Sequence, residues 1–186
     1  MQDVISYMTV LALIPSYALA QSSHGTGANT ELLSIAQVES SSGRNINHRV
    51  VGHGLNKGHR AAGWTGIMPI TVCETIRKNP KLFKYSFLTE ASPNSITNYL
   101  NTHADTELEI ATAHWKRLSN LFGNDFKRKA YAWNHGISAT KRAVQAEIDS
   151  DGYVQKAVTA ALFRFLKQGV VTHDQTPVLA LSLCCH

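Results

Sequence analysis

Residues 108–123 read LEIATAHWKRLSNLFG. Leu108, Ala111, Trp115, Leu118 and Phe122 recur at intervals of three, four, three and four, which puts them on one face of a helix. Gly123 then supplies a C-terminal stop. The same period runs through Val154, Ala157, Val158, Ala161, Leu162 and Phe165, ahead of Gly169, and through Leu32, Ile35, Ala36 and Glu39. Shorter helices are predicted over 69–78, stopped by Asn79-Pro80, over 94–100, and over 126–133, leading to Gly136. No alternation of period two competes with them. The expected fold class is therefore all-α: a compact helical domain with one long, Gly-rich loop, 40–66. A small hairpin inside that loop would make it α+β. Long ordered loops in small domains are usually functional.

The chain has 186 residues, enough for one domain with a proper core. It is 44% apolar, and its 17% charged residues fall below the roughly one quarter that is typical. Disorder, repeat arrays and a disulfide-built scaffold are excluded by composition, the last because there are only three cysteines. Eighteen Lys and Arg against 13 Asp and Glu give a net charge of +5. That mild excess suits an anionic partner: nucleic acid, a membrane surface or a cell-wall polymer.

Residues 1–20 read MQDVISYMTVLALIPSYALA. The apolar stretch from Met8 ends on Ala18-Leu19-Ala20, a small-x-small pattern, so the segment reads as a signal peptide although it has no Lys or Arg and carries Asp3. Pro15 and the short length argue against a retained anchor, so no stable membrane span is expected after cleavage. The protein is then periplasmic or secreted. Residues 21–30 form a polar linker, 31–169 the working domain, and 170–186 a tail with no assigned role. In an oxidising compartment Cys73 has Cys184 or Cys185 as a candidate disulfide partner. No Cys/His spacing matches a zinc site, so neither metal nor other cofactor is expected.

Glu39 is the candidate catalytic residue. It ends an otherwise apolar helical face, and desolvation there disfavours the anion and raises the pKa. A carboxylic acid still protonated near neutral pH can donate to a leaving oxygen. The plainer alternative is a glutamate marking the solvent edge of the helix.

Its company favours the first reading. Glu39-Ser40-Ser41-Ser42-Gly43 is followed by Gly66-Ile67-Met68-Pro69-Ile70, then by Glu109-Ile110, Ala111, Trp115 and Leu121-Phe122-Gly123. Ala132-Trp133-Asn134-His135-Gly136 and Tyr153-Val154 come last. In this order the segments resemble the lytic transglycosylases of the soluble type (SLT), in the lysozyme-like superfamily, over residues 31 to about 166. The resemblance implies a lysozyme-like fold and cleavage of the MurNAc–GlcNAc bond of peptidoglycan with formation of a 1,6-anhydro ring. Glu39 would be the single acid/base, and the substrate's own N-acetyl group would stabilise the cationic centre. This departs from the two-carboxylate scheme of most glycosidases.

The resemblance also carries site roles. Ser40 would hydrogen-bond Glu39 or the N-acetyl group. Gly66, Ile67 and Met68 would line the cleft, and Asn134 would contact the substrate. Trp133 stands where the family usually has Tyr and would keep a stacking surface. Tyr153 would bring its hydroxyl near Glu39, or else serve as a core aromatic. Pro69 replaces the usual Gln, Glu109 a common Asn, and His135 a small Ala. The implied partners are peptidoglycan strands and, given the small size, a secretion, conjugation or pilus machine. Two alternatives remain: a hydrolase (muramidase) of phage or bacterial origin, and a non-catalytic glycan-binding protein on the same fold.

The Gly-rich loop carries Arg44, His48, Arg49, His53, Lys57, His59 and Arg60. Together they suit the peptide carboxylates of a cell wall. Nucleic acid is the competing partner, but the cluster has no interleaved aromatics and no nucleic-acid motif, so none is expected to bind.

Overall fold

A computed structural model describes residues 26–52 and 56–167. The fold is all-α, as the periodicity predicts. In chain order the helices are α1 (Thr26–Ser40), α2 (Pro69–Lys78), a 3₁₀ stretch (Pro80–Glu90), α3 (Pro93–Thr102), α4 (Ala104–Phe122), α5 (Phe126–His135), α6 (Ile137–Arg142), α7 (Gln145–Ser150) and α8 (Gly152–Lys167). Among the described residues, strand-like pairing is confined to two isolated antiparallel bridges, Val50 with Arg60 and Ala62 with Ile67. The signal-peptide segment, His53, Gly169, the tail and its Cys184 and Cys185 lie outside the described residues. Among those described, no helix is long and apolar enough to cross a membrane.

Local chemistry explains the boundaries. Pro69 opens α2 at the position where a missing N–H costs nothing. Asn79 ends α2, and its side chain accepts from Lys81 N to start the 3₁₀ stretch. Gly123 closes α4 at φ 62°, and Asp125 caps α5 by accepting from Arg128 N at 3.0 Å. The helices α6 and α7 are too short to leave a hydrophobic period and are not visible in the sequence.

Two apolar cores share α4. One gathers Leu32 and Ile35 of α1, Ala111, Trp115 and Leu118 of α4, Ala130 and Ala132 of α5, and Val154 and Ala157 of α8. The other gathers Val72 and Ile76 of α2, Leu82 and Leu88 of the 3₁₀ stretch, Ile96 and Leu100 of α3, and Ile110 of α4, with Ala62 and Ile67 from the loop. Serving two cores widens the buried face of α4. The expected stripe began at Leu108 and ended at Phe122, both only half-buried; the buried positions are Thr106, Glu107, Ile110, Ala111, His114, Trp115 and Leu118. On α8 the expected face is also corrected. Val154, Ala157 and Ala160 are buried, whereas Leu162 and Phe165 are exposed.

An ion pair ties α1 to α5 inside the first core. Lys129 Nζ lies 2.6 Å from Glu31 Oε2 and is itself buried, and the same oxygen accepts from Trp115 Nε1 at 3.0 Å. The loop 41–68 crosses from α1, in the first core, to α2, in the second. Glu39 therefore stands where the two halves meet.

Candidate functional site

The helix α1 stops abruptly after Glu39 and Ser40. Ser41, Ser42 and Gly43 take positive φ values of 52°, 59° and 85°. Two successive non-glycine residues in this region are uncommon, and such outliers gather at functional sites. Ser40 holds the reversal. Its hydroxyl contacts Ala36 O at 3.1 Å and Trp64 O at 2.7 Å as donor, and accepts from Gly43 N at 2.7 Å. Ser40 is buried and its hydroxyl is committed to backbone groups, not to Glu39.

The turn 63–66 returns to the end of α1. Ala62 and Ile67 exchange backbone hydrogen bonds of 2.9 and 3.1 Å, which closes the turn. Gly66, at φ 65°, lies directly on the Glu39 side chain. A Cβ there would sit 2.6 Å from Oε2 and 2.8 Å from Cδ. Only glycine accepts both the conformation and the approach.

This contact and the surrounding packing largely remove Glu39 from water while leaving it partly exposed. Burial pushes its pKa up to about 7, and the Tyr153 hydroxyl beside it pulls in the other direction. Among the described residues no cation offsets the burial. Tyr153, at the start of α8, is pushed well above its usual pKa by burial and by the neighbouring carboxyl. Its hydroxyl is buried and closes no hydrogen bond of good length and angle among the described residues, so the contact with Glu39 is loose. Both readings offered for Tyr153 have support: its ring packs against the first core, and its hydroxyl lies beside Glu39.

The other expected site residues are distributed differently. Ile67 is fully buried in the second core, because its pairing with Ala62 turns it inward. Met68 is half-buried and immediately precedes α2. The Trp133 indole packs against His114 and Trp115, at ring separations of 5.3 and 5.7 Å, and its Nε1 donates to Thr65 O at 3.0 Å. It is thus an anchor for the turn and not an open stacking face. Asn134 is exposed and contacts His135, which pairs with Asp151 at 2.9 Å. Glu109 is exposed, with Lys84 Nζ at 2.8 Å and the Tyr85 hydroxyl at 2.7 Å.

A groove of about 280 Å³ separates α1 from α4, lined by Leu32, Leu33, Ala36, Thr65, Leu108 and Glu109 among others. Glu39 is not in its lining. Ala36, one helical turn earlier, and Thr65, next to Gly66, bring the groove up to the acid's flank.

Sequence reasoning missed Glu107. This residue has no exposure at all, and its Oε1 accepts from both the amide N, at 3.2 Å, and the hydroxyl of Thr65. Burial pushes its pKa up to about 6, against the Thr65 bonds and the Trp64 backbone that lower it. The signal was present: Glu107, Ile110, Ala111 and His114 have the spacing of Leu32, Ile35, Ala36 and Glu39, a carboxylate sharing an apolar helical face.

Along the loop, Arg44, Arg49, Lys57 and Arg60 are exposed, and none pairs with an acid among the described residues. Residues 40–66 contain no Asp or Glu.

Comparison of the chain with protein-family models, curated proteins and solved structures finds no match.

Proposed function

We propose that this chain is a peptidoglycan lytic transglycosylase with Glu39 as its acid/base. The observation that carries the reading is the state of Glu39. Burial keeps its carboxyl protonated up to about pH 7, and the residue still reaches the surface at the junction of the two halves. A proton donor of that kind is what a poor alkoxide leaving group needs.

The reaction then needs one carboxyl. Protonated Glu39 donates to the bridging oxygen as the bond from the MurNAc C1 breaks. The N-acetyl oxygen of the same sugar stabilises the cationic C1. The Glu39 anion next takes the proton of the MurNAc 6-hydroxyl as O6 bonds to C1, which closes the anhydro ring and restores the acid. No water is consumed and no cofactor is required. The Tyr153 hydroxyl, which has no other partner among the described residues, is available to donate to the Glu39 anion between the two steps. Glu107 is sealed from solvent and Glu109 is held by Lys84, so neither supports a second-carboxylate role.

The acid-free, basic loop supports a wall as the partner, since stem-peptide carboxylates are its anionic groups. In this reading the protein is exported and acts on glycan strands in the periplasm or outside the cell, where it opens gaps for an envelope-spanning machine. A hydrolase would differ only in admitting water in place of the 6-hydroxyl.

Clearing of purified cell walls tests the assignment. Wild type should clear them, and Glu39→Gln should lower the rate about a hundredfold or more while still sedimenting with the walls. A wild type that binds walls without clearing them makes the chain a glycan-binding protein instead. Equal clearing by both proteins removes Glu39 from the chemistry.

A further inference from the structure

We propose that Glu107 is a positioning residue: through Thr65 it holds the turn 63–66 against Glu39. The inference rests on the reading of Glu39 as the acid and extends the site to a second carboxyl that touches no substrate.

The geometry begins with an apparent misplacement. Glu107 is a carboxylate on the central helix, fully buried between two apolar cores, with no cation beside it among the described residues. Burying such a group is costly unless its hydrogen bonds are made. Those bonds go to the turn 63–66, to Thr65 and the Trp64 backbone. Oε1 takes both the amide and the hydroxyl of Thr65, while Oε2 is buried without a hydrogen-bond partner among the described residues. Glu107 is therefore not a node in a wider network of the core. Its contacts are with the turn.

Gly63 confirms how closely the two fit. At φ 68° its hypothetical Cβ would lie 2.5 Å from Glu107 Cδ. At the other end of the same turn, the Cβ of residue 66 would lie 2.6 Å from Glu39 Oε2. The turn is thus packed between two carboxyl side chains, one sealed and one reactive, with a left-handed glycine against each.

Other ties fix the turn's remaining backbone. Asn101 Oδ1 accepts from Gly63 N at 2.8 Å, His48 Nε2 is 2.8 Å from Gly63 O, Ser40 Oγ donates to Trp64 O, and Trp133 Nε1 donates to Thr65 O. Among the described residues, only Glu107 holds Thr65 by its amide and its side chain together. Releasing Thr65 lets Gly66 move off Glu39 and lets water reach the reactive carboxyl. Misplacement of about 1 Å in such a site costs on the order of a hundredfold in rate.

The test titrates the Glu39 carboxyl by NMR in the full chain, in wild type, Glu107→Gln, Glu107→Ala and Thr65→Val. Gln retains the acceptor for Thr65, so its Glu39 midpoint should stay within about half a unit of wild type. Glu107→Ala and Thr65→Val should each lower the midpoint by about one unit or more, as water regains the carboxyl. Wall clearing by these two should fall about tenfold to a hundredfold in kcat with KM little changed. If Glu107→Ala does not fold, Thr65→Val, which keeps the side chain's shape, carries the measurement. A folded Thr65→Val or Glu107→Ala protein with an unmoved Glu39 midpoint overturns the proposal. If the midpoints move as expected while wild type clears no walls, the positioning role stands and the enzymatic reading fails.

Discussion

Replacing Glu39 by Gln should stabilise the protein above neutral pH and leave it unchanged in acid. The folded chain holds the Glu39 proton up to about pH 7, whereas an exposed glutamate loses it near 4.5. Between these values the folded state binds more protons than the unfolded state, so stability falls as pH rises. Above about pH 7 the loss is complete. At 1.36 kcal/mol per unit, the shift sets a ceiling of about 3 kcal/mol. Glu39 keeps some solvent contact, which brings the expected figure to about 1–2 kcal/mol. Gln mimics the protonated acid and escapes this loss. Urea unfolding of both proteins at pH 4, 5.5, 7 and 8.5 measures the difference directly. Two other buried groups shape each curve. Glu107, with its raised pKa, acts in the same direction as Glu39. His114, held by burial at about 4, stays neutral in the folded state and costs stability as pH falls from 6.5. Both are common to the two proteins and cancel in the difference. A difference that does not vary with pH, or a Gln variant less stable at pH 8.5, refutes the desolvation argument.

Gly66→Ala should abolish wall clearing and lower Tm, because a Cβ at φ 65° meets the Glu39 carboxyl and the left-handed conformation alone costs about 1–2 kcal/mol; clearing equal to wild type contradicts the contact. Ser40→Ala leaves Trp64 O and Gly43 N without their side-chain partner, so urea unfolding should show a loss of about 1–3 kcal/mol, and a change under about 0.5 kcal/mol would show that the hydroxyl is dispensable. Arg44→Ala, Arg49→Ala and Arg60→Ala combined should weaken sedimentation with peptide-bearing walls and reduce its salt dependence while leaving Tm unchanged, since all three side chains are exposed. Unaltered sedimentation would remove the loop from wall binding.

The parts of the fold that were legible are those set by local signals. Pro69 and the Asn79-Pro80 pair fix α2 over its observed span, and Gly123 and Gly136 end helices where expected. On α4 the period finds Ala111, Trp115 and Leu118 but not Glu107, Ile110 and His114, because a helix serving two cores buries a wider arc than a single stripe of period 3.6 shows. The position of Glu39 was legible because a carboxylate interrupts an apolar face. Glu107 interrupts one in the same way and was passed over because it falls outside the motifs of the resemblance. Ser40 and Trp133 were recognised as special, but their partners lie 24 and 68 residues away in the chain, at Trp64 and Thr65. Such pairings depend on how the loop folds back, which no local pattern records. At the end of α8 the period includes Leu162 and Phe165, which are exposed, because periodicity reports amphipathicity and not what packs against it.

Mass spectrometry of the muropeptides released from purified cell walls tests the central claim most directly. The account predicts fragments ending in 1,6-anhydroMurNAc, released by wild type and not by Glu39→Gln, with the rate declining as pH rises through about 7. Fragments with a free reducing end would make the chain a hydrolase, and a wild type that releases nothing would contradict the assignment of Glu39 as a catalytic acid.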